Sequence, residues 1–221
     1  MKTIRKSLQQ FVQEEIIPRY DAFDAGHRRD HAEAVIAQAL ELAEHYDVDP
    51  EILYVAAAYH DLGIAEGREN HHLVSGRIIR ADGRLLQWLT PDGVELAAQA
   101  AEDHRASSDH APRTIYSRII AEADRLIDPE TVIRRTVEYG FAHYPELDKE
   151  GHWQRTLDHL HEKYAEGGYL KLWIPESRNA ARLAELRALI ADEAAIRTRF
   201  EKYYALCHTS SETKPSGKTA H

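Results

Sequence analysis

The sequence predicts an all-helical fold, and three observations carry that prediction. Apolar residues recur at steps of three and four along most of the chain, no stretch alternates as a half-buried strand would, and helix-start pairs such as Asp49-Pro50 and Thr90-Pro91 stand at the heads of apolar runs. No internal repeat and no glycine-rich phosphate loop is present.

The elements follow in order. Residues 3–17 carry Ile4, Leu8, Phe11 or Val12, and Ile16 at helical spacing until Pro18 interrupts. After a connector over 20–26, a long helix is expected over 28–46, with His31 one turn before Val35 on its apolar side. Asp49 caps the next helix and Pro50 suits its first turn, so Ile52 to Ala58 lead into His60-Asp61 before Gly63 offers a stop. A short helix is expected over 71–80, a brief apolar segment over 85–89, and a helix from Thr90-Pro91 to His104. Pro112 opens another, whose stripe Ile115, Ile119, Ile120, Ala123 and Ile127 contains Asp124. Helices over 129–142 and 151–166 follow, and one long final helix after Pro175 runs to about residue 204. The expected organisation is a single domain over 1–205, with its core at about 20–130 and C-terminal helices over 131–205. The polar residues 208–221 read as a disordered tail.

Composition narrows the function. The chain has 221 residues, 43% of them hydrophobic and 29% charged, which is the balance of a globular protein. No apolar run has the length of a membrane span and the N-terminus lacks a signal-peptide core, so no membrane partner is expected. The single cysteine, Cys207, cannot form an internal disulfide, and cytoplasmic is the default location. A net charge of -9 disfavours a general nucleic-acid binder.

The chemistry is concentrated in histidines and aspartates on apolar helix faces. His60 lies four residues after Ala56 and seven after Leu53, and Asp124 lies four after Ile120. Buried carboxylates and imidazoles of this kind need compensation, and a divalent cation supplies it. His31, His60, Asp61 and Asp124 form a set of two imidazoles and two carboxylates, suited to Mn, Mg, Fe, Co, Ni or Zn, with no thiolate to favour a structural zinc site.

This ordered set resembles the HD-domain superfamily, whose signature is a histidine, then a His-Asp doublet, then a distant aspartate. The run from His31 through YHDLG and the phrase AEADRL around Asp124 carry the likeness, which spans about residues 20–205. It implies that His31, His60, Asp61 and Asp124 bind one metal ion. It also implies hydrolysis of a phosphoester or phosphoanhydride in a small phosphorylated substrate, with a nucleotide expected. His71-His72 and the stretch Glu102-Asp103-His104-Arg105 fall where dinuclear members carry extra histidines, and His72 and His104 are the candidates for a second ion, with Asp61 as the bridge. Asp61, His72, His104, Glu66 and Asp103 are the candidate groups for moving protons or placing water. Arg105, Arg68 and His27 are the candidate substrate contacts, and Arg28 and Arg113 adjoin the same segments.

Several subfamily marks are absent. Ile64-Ala65 stands where guanosine-tetraphosphate hydrolases carry a Glu-Asp pair, and no Gly-Tyr-Pro motif of cyclic di-GMP phosphodiesterases occurs. Two other readings are a di-iron oxygenase, which needs six ligands including His72 and His104, and a non-catalytic signalling or interaction module. The apolar stripe Leu183, Leu186, Ile190 and Ile196 has either the domain or a second chain as its partner, the latter giving a homodimer.

Overall fold

A computed structural model describes residues 3–23, 28–108 and 110–212. Among them are ten α-helices, several shorter 3-10 or π turns and no strand. No helix among the described residues is long and apolar enough to cross a membrane. The chain forms two compact units, one of residues 1–126 and 171–179 and one of 127–170 and 180–221.

In the first unit, α1 (Lys6–Phe11) passes into a π turn, Val12–Ile16, and a 3-10 turn, Ile17–Ala22. The regular helix expected over 3–17 is therefore shorter. Pro18 brings no N–H and a fixed φ, and the chain tightens around it while Leu8, Val12, Ile16, Ile17 and Tyr20 stay fully buried.

Next comes α2 (Arg29–Ala43), then α3 (Pro50–Tyr59), all ten residues of which are buried. Asp49 caps α3 by accepting the Glu51 N–H at 3.0 Å. Glu51 is itself buried, and the Arg5 guanidinium meets its two oxygens from Nε at 2.9 and 3.0 Å. The apolar run read from the sequence is thus the central helix of this unit.

Around α3 lie α4 (His71–Ala81), α5 (Pro91–Glu102) and α6 (Ile115–Asp124). Thr90 caps α5 as expected, receiving the Gly93 N–H at 3.1 Å. The helix after Pro112 begins later than its proline: Thr114 is the cap, accepting from Ser117 N at 3.1 Å. Segment 171–179 is tied to α6 through the fully buried Glu122, whose carboxylate accepts the Trp173 N–H at 2.7 Å and the Asn179 Nδ2 at 3.0 Å.

Two glycines let α4 approach its neighbours. A Cβ on Gly63 would lie 2.0 Å from the His71 carbonyl oxygen, and one on Gly76 would lie 2.6 Å from the Glu102 side chain. The Gly63 N–H also donates to the buried Ser75 Oγ at 2.9 Å. The glycine of HDLG therefore does more than end a helix: it seats the first residue of α4 against the doublet.

The second unit contains α7 (Pro129–His143), α8 (Lys149–Tyr164), nearly all of α9 (Asn179–Ala191) and α10 (Glu193–Glu212). Trp153 and Phe200 pack with ring centroids 5.3 Å apart, and the Arg197 guanidinium lies 4.8 Å from the Trp153 ring. The single final helix expected from the sequence is two. Asp192 breaks it, accepting the Ala195 N–H on Oδ1 at 3.0 Å and so capping α10. Because α10 continues to Glu212, residues 208–212 of the expected tail are helical, and 213–221 lie outside the described residues.

Gly63→Ala should lower stability by about 1–3 kcal/mol, the usual cost of overpacking. A urea titration monitored by circular dichroism checks it, and an unchanged midpoint would show that α4 can step away from Gly63 freely.

Candidate metal centre

Five helices, α2 to α6, bring six titratable side chains to one place. His31 stands in the first turn of α2, His60 and Asp61 just past the end of α3, His71 at the start of α4, His104 shortly after α5, and Asp124 at the last position of α6. They form two groups of metal-ligand atoms, His31–His60–Asp124 and Asp61–His71–His104.

In the first group, Asp124 Oδ1 lies 3.1 Å from His31 Nε2 and 3.6 Å from His60 Nε2, and the two imidazole nitrogens are 3.4 Å apart. Asp61 joins it through Oδ2, 3.2 Å from His60 Nε2 and 3.7 Å from His31 Nε2. In the second group, Asp61 Oδ1 lies 3.3 Å from His71 Nε2 and 3.4 Å from His104 Nε2, and those nitrogens are 3.2 Å apart. Ligand atoms at about 2.0–2.2 Å from a common ion sit about 3.0–3.6 Å from one another, so both groups have the spacing of a coordination shell. Asp61 presents one oxygen to each.

The imidazoles are oriented by backbone. His60 Nδ1 donates to the Ala57 carbonyl at 2.7 Å, His71 Nδ1 to the Arg68 carbonyl at 2.7 Å, and His104 Nδ1 to the Ala101 carbonyl at 2.6 Å. A carbonyl can only accept, so the N–H is on Nδ1 and the Nε2 lone pair faces the shared centre, as metal-ligating histidines require. Tyr20 fixes the doublet from beneath. Its fully buried hydroxyl donates to the Ala58 carbonyl at 3.0 Å and accepts the Asp61 N–H at 3.4 Å.

Burial by itself pushes the Asp61 carboxyl up, but His60 and His104 outweigh it and hold the group well below the usual carboxylate range. Asp124 is likewise depressed, burial being outweighed by His31 and His60. Burial pushes His60 down, and the charges of Asp61 and Asp124 reverse that, leaving it well above the ordinary imidazole value. His71 goes the other way, down to about 4, because burial and the neighbouring His104 both disfavour its cation. Protons thus compensate the two carboxylates in the metal-free protein, and a divalent ion would displace them. The donor set of four imidazoles and two carboxylates, with each nitrogen turned inward, fits such ions.

The four residues read from the sequence as one metal site converge, and so does His104. His72 does not. His71, Ser75 and Ile79, at four-residue steps, form the inner face of α4, whereas His72 is turned toward Glu102 of α5. Helical phase therefore groups His71, and not His72, with His104 and Asp61. Glu66 is half-exposed and ion-paired to Arg77 at 2.5 Å, not directed to the cluster. Asp103 is buried and held by Arg113 Nε at 3.0 and 3.1 Å, so it braces the turn beside His104 and joins neither group of ligand atoms. Arg105 donates through Nη1 to the Glu69 carbonyl at 2.7 Å, tying two loops together. Arg68 contributes its carbonyl to His71, Arg28 is exposed at the start of α2, and His27 lies outside the described residues. Tyr20 and Ser75 were not singled out from the sequence, since one tyrosine in a connector and one serine in a helix carry no pattern.

Residues 28–127 match the family model described as HD domain. This segment is an HD domain. None of the curated proteins matches the chain. The chain is also similar to the crystal structure of a predicted HD superfamily hydrolase from an uncultured Thermotogales bacterium, at 19% identity and a TM-score of 0.46 over 69% of this chain and 83% of that one. The matched segment begins three residues before His31 and ends three after Asp124, so the HD domain contains all six clustered residues.

Elemental analysis of protein loaded with Mn should give about two ions per chain, falling to about one in His71→Ala and staying at two in His72→Ala. One ion in the parent, or the same content in the His71 and His72 variants, would contradict the double site.

The metal-free protein also has a defined pH response at His71. Its unfolded value is about 6.5 and its folded value lies lower, so the unfolded chain binds the extra proton. His71 therefore costs no stability above about pH 6.5 and costs progressively more from there down to about pH 4. An NMR titration should find its imidazole neutral at pH 5; a midpoint near 6.5 would refute the assignment.

Proposed function

We propose that this protein is a divalent-metal-dependent phosphohydrolase acting on a small phosphorylated metabolite of the nucleotide class. The observation that carries the reading is Asp61, whose two oxygens serve two separate imidazole pairs within one HD domain. Divalent ions in such a cradle lower the pKa of water and neutralise charge on a phosphoryl group.

The chain's own residues set how a substrate would approach. His60 and Asp61 are closed off, whereas the side chains of Asp124 and His71 remain 23% and 15% exposed. A phosphate therefore has its access on the Asp124 and His71 side. His31, His60, His71 and His104 with the two carboxylates supply the metal-ligating groups there. The depressed carboxyls of Asp61 and Asp124 stay ionised across neutral pH and so remain ready as ligands.

A second reading is a di-iron oxygenase, favoured by the count of six clustered residues, with His71 taking the place expected of His72. Metal content and oxygen uptake separate the two. A panel of nucleoside mono-, di- and triphosphates assayed with Mn or Mg should show phosphate or pyrophosphate release without oxygen consumption. Asp61→Ala should reduce turnover by about 100-fold or more. Oxygen-dependent turnover with two irons per chain would support the oxygenase instead. Equal metal content and equal activity in Asp61→Ala and the parent would leave a non-catalytic module.

A further inference from the structure

Asp124 is the last residue of α6, and the final four carbonyls of an α-helix have no partner within the helix itself. In α6 part of that need is met from far along the chain. The Glu122 carbonyl accepts Asn179 Nδ2 at 2.9 Å as well as the Arg125 N–H at 3.2 Å, and the Ala121 carbonyl accepts from the Arg125 guanidinium. The same Asn179 Nδ2 reaches Glu122 Oε1 at 3.0 Å, while the Trp173 N–H donates to Oε2 at 2.7 Å. Segment 171–179 therefore grips one residue twice, from Trp173 and from Asn179, two positions before Asp124.

Burial makes these bonds consequential. Glu122 and Asn179 are both buried, so solvent does not replace a donor that is lost. Asn179 turns its nitrogen to two acceptors, which settles the orientation of its amide. Its own N–H donates to Ser177 Oγ at 3.1 Å, which holds it in place. Ile174 seats the segment in the core of the first unit. On the outer side Glu176 accepts from the Tyr46 hydroxyl at 2.6 Å, and Arg178 donates to Glu41 of α2 at 2.7 Å. The exposed Arg178–Glu41 pair contributes little, which leaves Glu122 as the main tie.

We propose that segment 171–179, with Asn179 as its positioning residue, is a strap that holds the last turn of α6 and thereby sets Asp124 against His31 and His60. It serves one of the two ligand groups. Helix α6 supplies a ligand to His31–His60–Asp124, whereas Asp61, His71 and His104 come from the end of α3, from α4 and from just after α5. The strap lies outside the matched segment 28–127, so that segment alone lacks part of what places its own ligand. The inference rests on the divalent-metal reading of the site and is independent of the reaction carried out there.

The test is made on the full chain with Mn as the probe, in two single-ion backgrounds. In His71→Ala, whose remaining ion belongs to His31–His60–Asp124, adding Asn179→Ala should weaken Mn binding about tenfold or more. In His31→Ala, whose remaining ion belongs to Asp61–His71–His104, the same change should leave the Mn Kd within about twofold. Equal weakening in both backgrounds, or none in the first, overturns the strap. A second readout needs no metal. Hydrogen exchange followed by mass spectrometry should show peptides over 117–127 exchanging about tenfold faster in metal-free Asn179→Ala than in the metal-free parent, with peptides over 71–81 unchanged. Parent-like exchange over 117–127 overturns the proposal. A parent that takes up no Mn overturns the metal reading, and hydrogen exchange then decides the strap by itself. If Asn179→Ala does not fold by circular dichroism, Ser177→Ala, which removes the acceptor of the Asn179 N–H, replaces it, with severalfold effects expected in the same directions.

Discussion

The buried carboxylate of Asp61 faces one pair of imidazoles with each of its oxygens, and much of the first unit is arranged to make that possible. A carboxylate removed from water costs several kcal/mol unless positive charge or hydrogen bonds replace what water supplied. Here the replacement must come from two sides at once. It requires α2 and the end of α3 to close on one oxygen and α4 and α5 on the other. The close approach at Gly63, the Ser75 hydroxyl on its N–H and the Tyr20 hydroxyl on the Asp61 N–H all fix the turn that presents this group.

A single local device orients three of the four imidazoles. In His60, His71 and His104 the Nδ1 donates to the carbonyl three residues earlier, so the direction of each Nε2 follows from the backbone of its own turn. Placing the helix ends therefore places the ligands. It also fixes the tautomer without a carboxylate partner, which leaves Asp61 and Asp124 free to face the centre.

Two arginines near the site are engaged elsewhere. Arg113 is committed to Asp103 and Glu102, and Arg105 to a loop carbonyl. Recognition of an anionic group would then fall to bound cations.

Sequence by itself determined the helical class, the buried run into His60-Asp61 and the set His31, His60, Asp61 and Asp124, because each of these is written in local periodicity and in polar residues on apolar faces. It also placed His104 near the centre. It did not separate His71 from His72, since adjacent residues differ by only about 100° around a helix and the start of α4 was not defined closely enough to choose. The close seating of α4 against Gly63 made that choice. Nor did it find Tyr20 or the break at Asp192, or see that Glu66 and Arg105 are committed to other partners, because each depends on contacts between segments far apart in the chain or on a single cap within a continuous apolar pattern. Periodicity reports which face of a helix is buried; what that face meets is decided only when the helices pack.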